Sequence, residues 1–246
     1  MLNGLTAMGR IRMMKTNASR VVLAFLLTAP IVARAADADW EEINFEDWEE
    51  INFEDDIQVF RRDVPGSDLV AFGGVTVMDA PLENILWVLA TNDRRKEWVD
   101  RLYISTILEQ STPYDYVVYQ AFELPVILAN RDYVYHARVV RDALSGVVRL
   151  EMSSIEHPDS PETVGVRANL INSRYTLTPI GPNKTGVAVE IHTDPRGWLP
   201  TWLVNIIQKS WPLKTLSGLR NQVAKPYVRA YSLPPQRSTV AAAPED

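Results

Sequence analysis

Between residues 55 and 192, apolar and polar positions alternate with a period of two over a series of short stretches, as expected of strands with one buried face. DDIQVFRRDV (55–64) and DLVAFGGVTVMD (68–79) flank the turn signal Pro65-Gly66-Ser67 and read as a hairpin. From 101 onward come RLYISTILEQ, YDYVVYQAF, RDYVYHARVV, VVRLEMSSI, VRANLINSRYTLTPI and TGVAVEIH. The gaps between these six strands are short, which favours antiparallel pairing because a parallel connection needs a long crossover. Parity then assigns faces. Tyr116, Val118, Gln120 and Phe122 share one side; Tyr133, Tyr135, Ala137 and Val139 oppose Asp132, His136 and Arg138; Val148, Leu150 and Met152 oppose Arg149 and Glu151.

Two stretches follow a helical period instead. Asp79-Ala80-Pro81 opens a helix whose Leu82, Ile85, Leu86 and Leu89 fall on one face, and the charged cluster NDRRKEW (92–98) leads on to the next strand. The last helix runs from about 199 to 223, with Leu203, Ile206 and Ile207 on one stripe that Leu216, Leu219 and Val223 continue. Pro212 lies inside it, where a missing N–H and a crowded carbonyl predict a kink, at a cost of about 3 kcal/mol. Residues 227–246 carry no amphipathic pattern and are expected to be disordered.

The first 35 residues follow neither period. Arg10, Arg12, Lys15 and Arg20 precede the apolar run VVLAFLLTAPIVA, and Ala33-Arg34-Ala35 follows it, so a cleaved export signal and a periplasmic destination are expected. Without this leader the chain keeps 20 basic against 31 acidic residues, and its formal charge moves from −6 to −11. Nucleic acid is not an expected partner of such a surface. The chain has no Cys, which excludes disulfides, thiol nucleophiles and thiolate metal sites. Domain organisation then reads as a signal peptide (1–35), an acidic segment with a tandem octapeptide (36–55), one ligand-binding domain (56–226) and a tail.

An α+β chain of this order describes a curved antiparallel sheet wrapped around one long C-terminal helix, and the space between them is the natural place for a ligand. The three histidines, His136, His157 and His192, are scattered, and no G-x-S-x-G, phosphate loop or HExxH is present. No catalytic group, metal site or cofactor is assigned.

Four stretches carry a resemblance: IQVFRRDVPGSDLVAFGGVTVMDAPLENILWVL, DRRKEWV, ELPVILANRDYV and above all DPRGWLPTWLVN (194–205). Residues 56–224 resemble a START domain, the lipid-transfer branch of the helix-grip (Bet v 1-like) superfamily. The resemblance implies an apolar tunnel for one lipid, closed by the C-terminal helix. It also implies that an acid and an Arg would stand inside the tunnel of a sterol carrier. Gln120 and Ala137 occupy those positions here, so sterol is not the expected ligand.

On this footing Tyr116, Val118, Gln120, Tyr133, Tyr135, Leu203, Ile206, Ile207 and Ser210 are the candidate ligand contacts. Val126, Ile127 and Leu128 form an apolar run where a polar turn would be ordinary. With Trp198 and Trp202 near the start of the last helix and Pro212 inside it, they are the candidate membrane contact and gate. The expected partners are one lipid or other hydrophobic small molecule and, transiently, a membrane, with the chain acting as a monomer. Two alternatives stand beside the carrier: a cyclase-like or aromatase-like enzyme using the same hollow, and a ligand-dependent interaction protein. The octapeptide WEEINFED occurs at 40–47 and again at 48–55; the second copy continues into the domain, and the first is read as a surplus surface duplication.

Overall fold

The computed structural model of the protein describes Phe45 and residues 47–125, 128–199 and 201–234, without the side chains of residues 201, 202, 205 and 207. The leader, most of the first octapeptide, Val126, Ile127 and the side chains of Trp202 and Ile207 therefore lie outside the described residues.

Ten strands follow one another as β1 (Glu49–Glu54), β2 (Ile57–Asp63), β3 (Val70–Met78), β4 (Leu102–Thr112), β5 (Asp115–Phe122), β6 (Arg131–Arg141), β7 (Val148–Ser154), β8 (Val166–Arg167), β9 (Asn169–Gly181) and β10 (Lys184–Asp194). Helix α1 (Leu82–Ala90) and a 3₁₀ turn (Asn92–Glu97) connect β3 to β4, and α2 (Thr201–Val223) follows β10. The sheet order is β1-β2-β3-β10-β9-β7-β6-β5-β4, antiparallel except that the short β8 pairs parallel to β6. The register between β4 and β5 shifts three times, and such bulges bend a strand and increase its twist. The expected hairpin is β2–β3, and the six expected later strands are β4, β5, β6, β7, β9 and β10.

Six of the eight residues of the second octapeptide form a strand, β1. β1 pairs with β2 across the two-residue loop Asp55-Asp56, whose φ values of 51° and 58° are the left-handed pair that a tight hairpin needs. Phe45, from the copy read as surplus, stacks on Phe60 with ring centroids 4.6 Å apart and meets Trp48 edge-on at 5.0 Å. A Cβ on Gly73 would overlap the Phe45 ring, so β3 needs a glycine beneath it.

The core lies between α1, α2 and the inner face of the sheet. Ile57, Ile85, Val118, Val148, Leu216 and Leu219 are fully buried in one cluster there, each side chain stabilising the fold by about 1.5–3 kcal/mol relative to exposure. Two glycines let α2 come close. A Cβ on Gly218 would overlap the Trp98 carbonyl oxygen, and one on Gly74 would stand 2.8 Å from Pro212. Pro212 is thus buried against β3, inside a helix that continues past it to Val223.

The tail differs from expectation. Residues 227–234 return along α1: the Tyr231 N–H donates to the Glu83 carbonyl at 3.0 Å, and Leu233 is buried in the core cluster. Sequence periodicity misses this segment because it is held by single side chains and not by a repeating face.

Candidate functional site

Between α2 and the sheet lies a chamber of about 470 Å³, the outer chamber. β5 contributes Gln120 and Phe122, β6 contributes Tyr133 and Tyr135, and α2 contributes Val204, Gln208 and Trp211. A second, inner chamber of about 300 Å³ lies between α1, β4, the start of β5 and the C-terminal segment, with the exposed Ile107, Gln110 and Pro113 at its edge. Leu89, Arg95 and Leu150 line both.

Arg95 is the side chain that the sequence reading missed. It belongs to the charged 3₁₀ turn, yet only 7% of it is exposed. One Nη donates to the Leu89 carbonyl and the other lies 3.5 Å from Tyr135 Oη, while Nε, fully buried, has no partner. Burial works against the charge, and the tyrosines around it, Tyr135, Tyr116 and Tyr175, supply oxygens but no counter-charge. Burial pushes Tyr135 up to about 12 and raises Tyr116 and Tyr175 too, so all three are neutral hydroxyls. Among the described residues no carboxylate pairs with Arg95. Trp98 Nε1, in the wall of the outer chamber, is a second buried donor without a partner.

The other polar groups are largely satisfied. Gln120 Nε2 donates to Ser105 Oγ at 3.1 Å, and that hydroxyl donates to Asn92 Oδ1 at 2.7 Å. Thr193 donates to the Asn169 carbonyl at 3.0 Å and lies 3.4 Å from Tyr133 Oη. Gln208 Nε2 donates to the Thr193 carbonyl at 3.3 Å, tying α2 to β10. Asp100, a carboxylate of the outer chamber wall, is ion-paired with Lys214 at 2.8 Å.

The mouth is fixed by Asn130, Arg131 and Asp132, which belong to one of the stretches that carried the resemblance. Asn130 Oδ1 accepts the Leu124 N–H at 3.1 Å. Arg131 donates to the carbonyls of Pro195 at 3.0 Å, Arg196 at 2.9 Å and, from its remaining Nη, Ala129. Asp132, fully buried, pairs with Arg167 and accepts the Val164 N–H at 2.7 Å. These three residues pin the approach to α2 onto the start of β6.

The candidate contacts divide. Tyr116 and Val118 line the inner chamber, Gln120, Tyr133, Ile206 and Ser210 the outer one, and Tyr135 faces Arg95 in the outer wall. Leu203 is half-buried and lines neither chamber; its neighbour Val204 does, because α2 turns Val204, Gln208, Trp211 and Thr215 inward. Leu128, expected at a membrane, is buried, its N–H bonded to the Pro125 carbonyl at 2.7 Å. Pro212 faces β3 and not solvent. Trp198, by contrast, is 82% exposed, and Ile206 is 59% exposed.

The START domain family model matches residues 37–226. An uncharacterised protein of Pseudomonas aeruginosa is 29% identical over 170 residues, 69% of this chain and 83% of that one. Bovine phosphatidylcholine transfer protein is 29% identical over 119 residues, 47% of this chain and 55% of the relative. The structure of human StAR-related lipid transfer protein 5 superposes with a TM-score of 0.68 at 20% identity, covering 75% of this chain and 89% of that one. The helix-grip architecture, the hollow between α2 and the sheet and the family match agree, and the chain belongs to the START domain family.

Proposed function

We propose that this protein is a non-enzymatic carrier of one amphiphilic lipid, held in the divided cavity with its anionic group on Arg95, and that it works in the periplasm after export. The observation that carries the reading is a buried guanidinium with a free N–H and no carboxylate partner, set in largely apolar walls. A charge in such a place is costly unless paired, and a bound phosphate or carboxylate would pair it. The bovine relative is named for phosphatidylcholine transfer, which agrees with a phospholipid as cargo.

Magnitudes favour a carrier. Withdrawing a sixteen-carbon chain into water costs about 13 kcal/mol, at ~0.8 kcal/mol per CH₂. Apolar walls offset most of that penalty without holding the lipid far more tightly than a bilayer does, so the cargo can leave again. Release runs through the mouth: α2 moves away from β10 and the Gln208–Thr193 bond opens, while Trp198 and Ile206 touch the membrane.

Native mass spectrometry of protein purified from its own host tests the cargo. The wild type is expected to carry a phospholipid-sized adduct that Arg95→Met loses and Arg95→Lys partly retains; a wild type with empty walls would refute the carrier. Liposome flotation tests the contact. A Trp198→Asp/Ile206→Asp variant is expected to float several-fold less than wild type, and equal flotation would remove the membrane step.

A further inference from the structure

The inner chamber opens to solvent where the outer chamber does not. Its edge is formed by exposed residues, Ile107 and Gln110 of β4 and Pro113 after it, facing the segment that carries Tyr231 and Leu233. This opening is far from the mouth. Gln110 pairs with Tyr116 near one end of β5, whereas Arg131 pairs with Phe122 at the other end, six residues or roughly 20 Å along the strand. Arg95 lines both chambers, so its guanidinium stands between two ways out.

The hydrogen-bonding capacity of the inner chamber is concentrated at that charge. Thr91 Oγ1 is spent on the Trp87 carbonyl at 2.6 Å, and the Asn92 amide bonds Ser105 through both its oxygen and its nitrogen. Arg95 Nε has no partner, and Tyr116 and Tyr135 beside it are neutral hydroxyls, each with a proton to donate. A cation among donors, without an acceptor of opposite charge, suits an oxyanion. The chamber of about 300 Å³ has room for an ion of phosphate size together with several waters, at ~30 Å³ for each water. An alkyl chain placed there would meet water at Gln110, whereas an ion entering by the same path keeps part of its hydration.

We infer that the inner chamber is a side entrance to Arg95, through which a small soluble oxyanion such as inorganic phosphate reaches the guanidinium and competes there with the anionic group of the lipid. The competition rests on the carrier reading; the anion site does not. Loading would then fall as soluble phosphate rises around the protein.

The site is tested on the full chain, delipidated on a hydrophobic resin, by following the Arg95 Nε–H resonance while sodium phosphate replaces sodium chloride at constant ionic strength. A saturable shift is expected, and Arg95→Met, which lacks the resonance, assigns it. A resonance that does not move overturns the site. Gln110→Trp, which narrows the opening, is expected to slow phosphate exchange several-fold in the line shapes without changing the affinity, and Gln110→Ala to speed it. The same rate in wild type and Gln110→Trp would mean entry through the mouth and would overturn the side entrance. Uptake of phosphatidylglycerol from vesicles is expected to be several-fold lower in phosphate than in chloride. If phosphate binds Arg95 and uptake is nevertheless equal in the two salts, the competition fails while the carrier stands. A wild type that takes up no lipid in either salt removes the carrier reading and the competition, and the resonance alone then decides the anion site.

Discussion

Among the described residues two arginines are buried, Arg131 at the mouth and Arg95 at the centre of the cavity, and they are partnered in opposite ways. Arg131 gives its N–H groups to the carbonyls of Ala129, Pro195 and Arg196, three points of the backbone that frames α2. Arg95 keeps Nε free and faces tyrosines and hydrocarbon. The first is what a structural cation looks like, with its hydrogen-bonding capacity met by the fold. The second leaves capacity open where a ligand would sit. Burial alone therefore does not distinguish stability from binding; the remaining hydrogen-bonding capacity does.

Substitution should separate the two. The largest effect is expected at Arg131. Arg131→Met leaves three carbonyls short of a donor and should cost about 3 kcal/mol or more, read as a lower denaturation midpoint, with the mouth segment exchanging amide protons faster. Arg95→Met should do the reverse, changing stability by less than about 1 kcal/mol in either direction, because replacing an unpaired buried charge with hydrocarbon offsets the two lost bonds. Lipid uptake should fall to background in that variant. If Arg95→Met unfolds the protein as Arg131→Met does, the distinction between the two sites is wrong.

Asp132→Ala sharpens the same contrast. It leaves the Val164 N–H without a partner and Arg167, whose side chain is 30% exposed, to water and the Pro161 carbonyl; about 1–3 kcal/mol is expected, so urea unfolding should shift while lipid selectivity among molecules that remain folded stays the same.

The smallest effect concerns the segment after α2, residues 227–234, where Tyr227 meets Glu97. Hydrogen bonds from Gln222 and Tyr227 hold the Glu97 carboxyl below its ordinary pKa. A carboxyl whose folded pKa is depressed stabilises the fold above its unfolded pKa, and that contribution is lost as the pH falls through the folded value. Glu97→Gln should therefore lower the melting temperature slightly at neutral pH and leave it unchanged at low pH, which flattens the acid limb of the profile; an altered slope above neutrality would contradict this assignment.

Much of the fold was legible because its strands present one face to a core and repeat every two residues. Val148, Leu150 and Met152 lie where parity puts them, as do Tyr133 and Tyr135. β1 was not legible because its acidic, twice-written sequence reads as solvent-exposed, and the pairing that makes it a strand depends on two left-handed aspartates. In α2 the apolar stripe of Leu203 and Ile206 was plain, but the turn toward the cavity is set by Gly74 and Gly218, which fix how the helix rests on β3 and Trp98. No periodicity marks which of Arg94, Arg95 and Lys96 points inward, since a short 3₁₀ turn has too few residues to define a face.

The sequence by itself determined the alternation that makes the sheet, the two helices and the motifs shared with START domains, because these are local and repeat along the chain. Only the tertiary structure decided that one charge of a polar cluster is enclosed, that the cavity is divided there, and that a tail without pattern forms part of its wall. Each of these depends on what stands opposite a residue across the core, and that neighbour comes from a distant part of the chain.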